Sequence, residues 1–488
     1  MIDTPNTRKT FCQITGKLHL LFSLFLLFPL PWCFYYEWNP DIGLLFLQIS
    51  GVVAVIGVVL RYYGRDAPNI ILPRDSLFIV GYSWLALVVT GALPYWKSNY
   101  IPGFVDAIFE SVSGFTTTGA SIMTDVEILP DAIQFWRGLT QWIGGMGIIV
   151  LFVSVFPNLS LGAKTLFKRE SSQLRSDPTE PVIRDAARSM CLTYMVLTIL
   201  QILLLRGAGM SVLDAMIHTF ASISTGGFSS RNASVGAFQS PFIEGIIIVF
   251  MYLGSINFGL YYDLVHGKWR RVLKDAELRF FLSVGLIFTG LSTLSLWFHS
   301  GFNFLKALRS SAFQISTILT TTGFASDDYE KYPFGPQALI FLCMLMGGMA
   351  GSTAGGIKQF RIFLLFKIIV NHIHLSFRPS LVTKLRVGDT VIQDNLLQSV
   401  LGFFCVYAVT LAIGFVCLAF SGQDLLTSLT AVMTCAAAAG PGFGMVGPTD
   451  NFAALNDFAT VVLSVVMLLG RLEFFVLLAF FHPRFWRR

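Results

Sequence analysis

Long apolar runs alternate with short polar connections along most of this chain. Runs near 18–38, 42–60, 76–96, 135–157, 188–206, 242–265, 279–299, 337–370, 396–420 and 459–482 are each long enough, as helices, to cross about 30 Å of hydrocarbon. They predict about ten crossings, an even number that leaves both termini on one side. Four shorter apolar pieces, near 104–115, 212–223, 307–318 and 425–436, are too short to span. Each leads straight into a turn rich in small and hydroxyl residues: Ser113-Gly-Phe-Thr-Thr-Thr-Gly-Ala120, Ala221-Ser-Ile-Ser-Thr-Gly-Gly-Phe228, Leu319-Thr-Thr-Thr-Gly-Phe324 and Ala437-Ala-Ala-Gly-Pro-Gly-Phe443.

A half-length helix that enters a bilayer and returns through extended backbone survives only where protein surrounds it or water fills it. The pattern therefore predicts an all-α integral membrane fold. Four pseudo-symmetric units of span, pore helix, filter loop and span surround one central pore, after an N-terminal two-helix hairpin. The expected divisions are 1–75 for the hairpin, then 76–165, 185–270, 278–385 and 395–488 for the four units. Asp106 and Asp214 stand at matching places ahead of Gly119 and Gly227, where an acid suits a helix start. Ser310 takes that place in the third unit as a cap; Leu429 takes it in the fourth, with Asp424 and Thr427 as alternatives. All four helix C-termini would turn partial negative charge toward the axis, which favours a cation.

Taking the residues up to each closing glycine, the expected layers are Thr117-Thr118-Gly119, Thr225-Gly226-Gly227, Thr321-Thr322-Gly323 and Gly440-Pro441-Gly442. Glycine lets successive carbonyls turn inward, and four carbonyls per layer with Thr hydroxyls beneath replace the water of a monovalent cation. Close helix packing through small residues is the competing explanation for any one turn. Its recurrence in all four favours the ion.

Composition agrees with the membrane reading: 54% of residues are hydrophobic and 13% charged, with 46 Phe. The net charge of +6 matters through its placement. Basic residues cluster at Arg8/Lys9/Lys17, Arg61/Arg65/Arg74, 164–188, 268–279, 358–386 and Arg484/Arg487/Arg488, in alternate connections. The positive-inside rule then puts both termini in the cytoplasm and the four turns outward. These charges flank spans instead of lining one face, so no nucleic-acid partner is expected. The seven cysteines have no paired spacing, and no small-residue cleavage site follows the first basic cluster, so the first helix reads as uncleaved. Gly442-Phe-Gly-Met-Val-Gly447 matches a dinucleotide fingerprint only formally, without a strand and helix around it. No nucleophile-and-base constellation is found, so no catalytic residue and no enzyme is expected.

As one helix, 337–370 would be about 50 Å long, so it should break, most simply within Met346-Gly-Gly-Met-Ala-Gly-Ser-Thr-Ala-Gly-Gly356. A packing face of Gly347, Gly351 and Gly355 is the alternative. Arg471 lies about 18 Å from either end of the last span, too deep to snorkel. A charge there needs a cavity or a partner, either an acidic residue or the pore itself.

Taken together, Arg74-Asp-Ser, Ser113-Gly-Phe-Thr-Thr-Thr-Gly, Gln141-Trp-Ile-Gly-Gly-Met-Gly, Ser224-Thr-Gly-Gly-Phe-Ser, Glu277-Leu-Arg-Phe-Phe, Gly351-Ser-Thr-Ala-Gly-Gly-Ile-Lys358 and Leu469-Gly-Arg-Leu-Glu473 are specific. With them the chain resembles, over nearly its whole length, the TrkH/TrkG branch of the Trk/Ktr/HKT superfamily of potassium uptake proteins. The resemblance implies potassium (K+) as the transported ion, with Gly119 matching the potassium pattern of the first turn. It implies a gate formed by Gly347, Gly348, Gly351, Ser352, Thr353, Gly355 and Gly356 with Arg471, in the bacterial inner membrane. It also implies a homodimer on a cytoplasmic TrkA-type nucleotide-binding regulatory ring, for which 164–188 and 358–386 would be docking surfaces. Ala437 and Ala438 depart from the pattern, since TrkH-like members often carry an Asn pair there. Channel-like uptake, proton- or sodium-coupled symport and the ion-binding subunit of an ATP-driven pump all remain open at this level.

Overall fold

The computed structural model describes residues 5–36, 38–67, 73–155, 180–378, 386–387, 390–391, 394–481 and 483. Two helices, α1 (Pro5–Phe25) and α2 (Pro40–Tyr63), form an antiparallel hairpin. They touch where glycine leaves room, since a Cβ on Gly16 would stand 2.8 Å from the Gly57 carbonyl oxygen. The first helix thus starts earlier than the expected 18–38 and ends at Phe25. Asn39 caps α2 by accepting from the Ile42 N–H, and Pro40 opens it.

Four units follow. The first is α3 (Pro73–Lys97), the short α4 (Phe104–Phe115) and α5 (Asp131–Val155). The second is α6 (Glu180–Gly207), the short α7 (Val212–Ile223), then α8 (Pro241–Ser255) and α9 (Phe258–Val265), with α10 (Trp269–Leu273) as a connector. The third is α11 (Ala276–His299), the short α12 (Phe304–Leu319), then α13 (Phe334–Met346) and α14 (Gln359–Phe377). A small antiparallel ribbon, β1 (Arg386–Val387) with β2 (Thr390–Val391), precedes the fourth. That unit is α15 (Asp394–Phe420), the short α16 (Leu425–Ala437), then α17 (Asp457–Arg471) and α18 (Phe475–Phe481). The short helices fall where the apolar pattern placed them.

The inner helices differ from expectation, because every unit breaks its second span and not the third alone. In α5, Gly147 leaves helical geometry at φ 69° and ψ 149°. Helices α8 and α9 meet at 93°, so 242–265 is not one straight crossing. Asn257 caps the restart by accepting from the Gly259 N–H at 2.7 Å. Residues 347–358 form a non-helical loop, which excludes a helical packing face of Gly347, Gly351 and Gly355. Span 459–482 is interrupted where Glu473 and Phe474 take φ of 53° and 61°. Apolar periodicity continues across such points and does not reveal them. Among the described residues six helices are long and apolar enough to cross a membrane, or seven if α8 and α9 count as one.

Caps also differ. Asn303, not Ser310, caps α12, accepting from the Lys306 N–H at 2.8 Å, and Ser310 lies inside that helix. Asp214 stands in the first turn of α7 behind the Ser211 cap, and Asp424 caps α16, both within the expected placements. The units close into a ring through packing of each inner helix on the next short helix: α5 on α7, α8 on α12, α13 on α16, and α17 back on α4. The basic connection at 164–188 lies outside the described residues except for the start of α6, as do residues 379–385 of the connection at 358–386.

Candidate functional site

All four short helices end in one way. At the end of each a residue takes left-handed geometry, Thr117, Thr225 and Thr321 just beyond the cap and Ala438 as the cap itself, at φ of 55°, 56°, 55° and 52°. The next N–H reaches back across the end of the helix: Thr118 to the Ser113 carbonyl (2.9 Å), Gly226 to Ala221 (2.7 Å), Thr322 to Thr317 (2.8 Å) and Ala439 to Thr434 (2.9 Å). With the second bonds from the left-handed residues, as from Thr117 to Gly114 at 3.0 Å, these are Schellman ends. Each reverses the chain abruptly and sends the following residues out as extended backbone.

Two residues later a glycine has φ near the same positive value: Gly119 at 80°, Gly227 at 82°, Gly323 at 82° and Gly440 at 80°. These four glycines touch one another's turns in a closed cycle. A Cβ on Gly119 would overlap the Gly226 carbonyl oxygen, and one on Gly227 that of Thr322. On Gly323 it would stand 2.5 Å from the Ala439 oxygen, and on Gly440 2.8 Å from that of Thr118. The matched layers are therefore Thr117-Thr118-Gly119, Thr225-Gly226-Gly227, Thr321-Thr322-Gly323 and Ala438-Ala439-Gly440. This corrects the fourth layer by two residues. Pro441 and Gly442 follow the ring; the Gly442 N–H donates to the Val446 carbonyl at 2.7 Å and its carbonyl accepts from the Tyr329 hydroxyl at 2.6 Å.

Ion pairs brace the ring from behind. The Glu110 carboxylate, fully buried on α4, accepts from Arg137 at 2.8 Å, from the Ile122 N–H at 3.0 Å and from the Ser121 hydroxyl. Arg137 also donates to the Ser229 carbonyl at 3.3 Å and lies 4.3 Å above the Phe228 ring, so one pair ties the first turn to the second. Arg309 on α12 makes a two-pronged contact with Glu244 of α8 at 2.6 and 2.7 Å. Asp214 pairs with Arg231 at 3.0 Å, and Glu330 accepts from the Gly444 N–H at 2.7 Å. None of these pairings followed from the sequence, although Glu110 and Arg137 had a signal, charges inside apolar helices.

Below the ring, loop 347–358 touches the ends of three short helices. The Gly355 N–H donates to the Thr321 hydroxyl at 2.7 Å, and a Cβ on Gly355 would overlap the Ala437 carbonyl. The Thr353 hydroxyl reaches the Ile223 and Gly254 carbonyls, both at 2.9 Å. Gly347 turns out of α13 at φ 75°, and its carbonyl accepts from Gln359 at 2.7 Å. The Gly348 carbonyl accepts from the Gln359 N–H at 2.9 Å, and the Gly351 carbonyl from the Phe258 N–H at 3.0 Å. Ser352 closes on the Met349 carbonyl at 2.6 Å, and Gly356 has φ 75°. Glu277 of α11 accepts the Ala350 N–H at 2.7 Å and the Phe360 N–H at 3.2 Å, holding both arms of the loop. Arg471 donates to the Thr353 carbonyl at 3.0 Å and to the Gly144 carbonyl on α5. It thereby connects the loop to the opposite side of the ring, while the neighbouring Glu473 pairs with Arg361 at 2.7 Å.

Residues 50–488 match the TrkH family, described as a cation transport protein. The chain belongs to the TrkH family of cation transport proteins. It is 36% identical over 483 residues to the Trk system potassium uptake protein TrkH of Escherichia coli K12, covering 98% of this chain and 99% of the relative. It is 33% identical over 478 residues to the Trk system potassium uptake protein TrkG of the same organism. The crystal structure of the potassium transporter TrkH from Vibrio parahaemolyticus superimposes with a TM-score of 0.87 at 33% identity, covering 98% of this chain and 99% of that one. TrkH-family membership makes this a multi-pass membrane transport protein and not an enzyme. In this TrkH-family chain the departure at Ala438 falls on the left-handed residue of the fourth turn, the place filled by Thr in the other three.

Proposed function

We propose that this chain takes up potassium across the bacterial inner membrane, through a channel-like pathway driven by the membrane potential. The closed cycle of glycine contacts carries the reading. The carbonyls of Thr118, Gly226, Thr322 and Ala439, together with those of Gly119, Gly227, Gly323 and Gly440, coordinate the ion in place of its water. The Thr117, Thr225 and Thr321 hydroxyls lie on the inner side, and that of Thr117 is buried with no hydrogen-bond partner among the described residues. Four helix C-termini pointing at the same place select for positive charge. The potential contributes about 2.3 kcal/mol per charge per 100 mV, which suffices for uptake without a second ion.

Gating belongs to loop 347–358. Gly347, Gly348, Gly351, Ser352, Thr353, Gly355 and Gly356 close the passage, and Arg471 both latches the loop and opposes a passing cation. Both termini face the cytoplasm, where a homodimer meets a TrkA-type nucleotide-binding ring. The purified chain in liposomes tests the pathway by comparing potassium, rubidium and sodium fluxes under an imposed potential. Saturable potassium flux without a proton or sodium gradient is expected. A strict requirement for either gradient would replace the channel-like reading with symport.

A further inference from the structure

The second turn differs from its neighbours ahead of the ring glycine, where Gly226 stands in place of Thr118, Thr322 and Ala439. Gly226 is not among the residues with positive φ, so the backbone does not require glycine there. Space does. A Cβ on Gly226 would lie 2.5 Å from Cδ of Gln141, which comes from α5 of the preceding unit and is fully buried. Gln141 donates from Nε2 to the Gly226 carbonyl at 2.6 Å and accepts at Oε1 from the Phe228 N–H at 3.0 Å. One amide thus straddles Gly227 on both sides. The first and third turns are braced internally at the same level, by hydroxyl pairs between Thr116 and Thr118 and between Thr320 and Thr322, both at 2.8 Å. In the second turn Ser224 stands where Thr116 and Thr320 stand, but Gly226 has no hydroxyl to meet it.

We propose that Gln141 is a specificity-determining positioning residue, which replaces the missing hydroxyl pair of the second turn and fixes the direction of the Gly226 carbonyl. The proposal rests on the ion-coordinating role of the ring given above. A carbonyl oxygen has two lone pairs, so accepting from Gln141 leaves one for an ion. Fixing the Phe228 N–H as well restrains both sides of Gly227, and spacing between carbonyls is what separates potassium from smaller sodium.

The test measures potassium-to-sodium flux ratios for the full chain in liposomes at equal protein incorporation. Gln141→Ala is expected to lower the ratio about fivefold, the effect of one buried hydrogen bond, while potassium still passes. Gly226→Thr alone is expected to lose uptake through its clash with Gln141. Combining the two substitutions should restore both uptake and ratio, because the introduced hydroxyl then pairs with Ser224. Gln141→Met, which keeps the length of the side chain but donates no hydrogen bond, should reproduce the fall in ratio if Gln141→Ala does not assemble. An unchanged ratio in the alanine variant, or in the methionine variant where only that assembles, would overturn the proposal, as would a double variant no better than Gly226→Thr. Absence of potassium flux in the unsubstituted chain would instead sink the potassium pathway itself.

Discussion

The Cα of Gly440 faces the carbonyl oxygen of Thr118, at a distance where a Cβ would stand 2.8 Å away, and this contact joins the last unit to the first. Gly442, two residues on, turns instead toward Thr430 and Val446, where its Cβ would stand 2.9 Å from the Thr430 hydroxyl. The two glycines therefore have separable roles. Gly440→Ser is predicted to reduce the potassium-to-sodium flux ratio. Gly442→Ala is predicted to lower thermal stability in detergent and leave the ratio of the surviving protein unchanged. The reverse pattern would restore Gly442 to the ring.

Release of the loop should follow loss of its latch. Arg471→Ala removes charge-assisted donors to Thr353 and Gly144, each worth about 1.5–3 kcal/mol, and is predicted to raise rubidium flux roughly tenfold. Equal or lower flux at matched incorporation would rule out the barrier role. Glu277→Ala, which frees the Ala350 and Phe360 N–H groups, should also raise flux. The two effects should fall short of additive, because both act on one loop.

The Glu110 and Arg137 pair is buried at both ends, with side-chain exposures of 0% and 3%. Removing one partner leaves a buried charge. Glu110→Ala is expected to destabilise by about 3–5 kcal/mol, and replacing both residues by Leu and Met should cost less than the single change. Detergent melting curves of the single and double variants check this ordering.

Ala438 occupies left-handed backbone that disfavours a Cβ. Ala438→Gly is predicted to stabilise the protein by up to about 1 kcal/mol, and Ala438→Asn to be tolerated better than Ala438→Val, which is β-branched. A melting point lowered by the glycine substitution would contradict the assigned geometry.

Much of the scaffold was legible from residue order. Short apolar pieces ending in small-residue and glycine turns gave all four short helices, three of them to within a residue and the third with a start three residues late, since a piece too short to span a bilayer has few other uses. The matching of the fourth turn was not legible, because Gly-Pro-Gly offers two glycines and only φ and the neighbour across the ring choose between them. Breaks at Gly147, at Asn257 and at Glu473-Phe474 were hidden for a related reason, since one to three non-helical residues leave the apolar pattern on either side intact. Ser310 lost the cap to Asn303 through a start that lay further upstream than the matched spacing placed it.

By itself the sequence determined that the chain is a membrane protein with four like units and glycine turns, because the cost of leaving apolar surface in water and polar backbone in lipid is local and additive. Tertiary structure decided which oxygen meets which glycine, that Glu110 finds Arg137, that Gln141 braces Gly226 and that Arg471 reaches both Thr353 and Gly144. Those contacts join residues far apart in the chain, and only closure of the four units into a ring brings them within reach of one another.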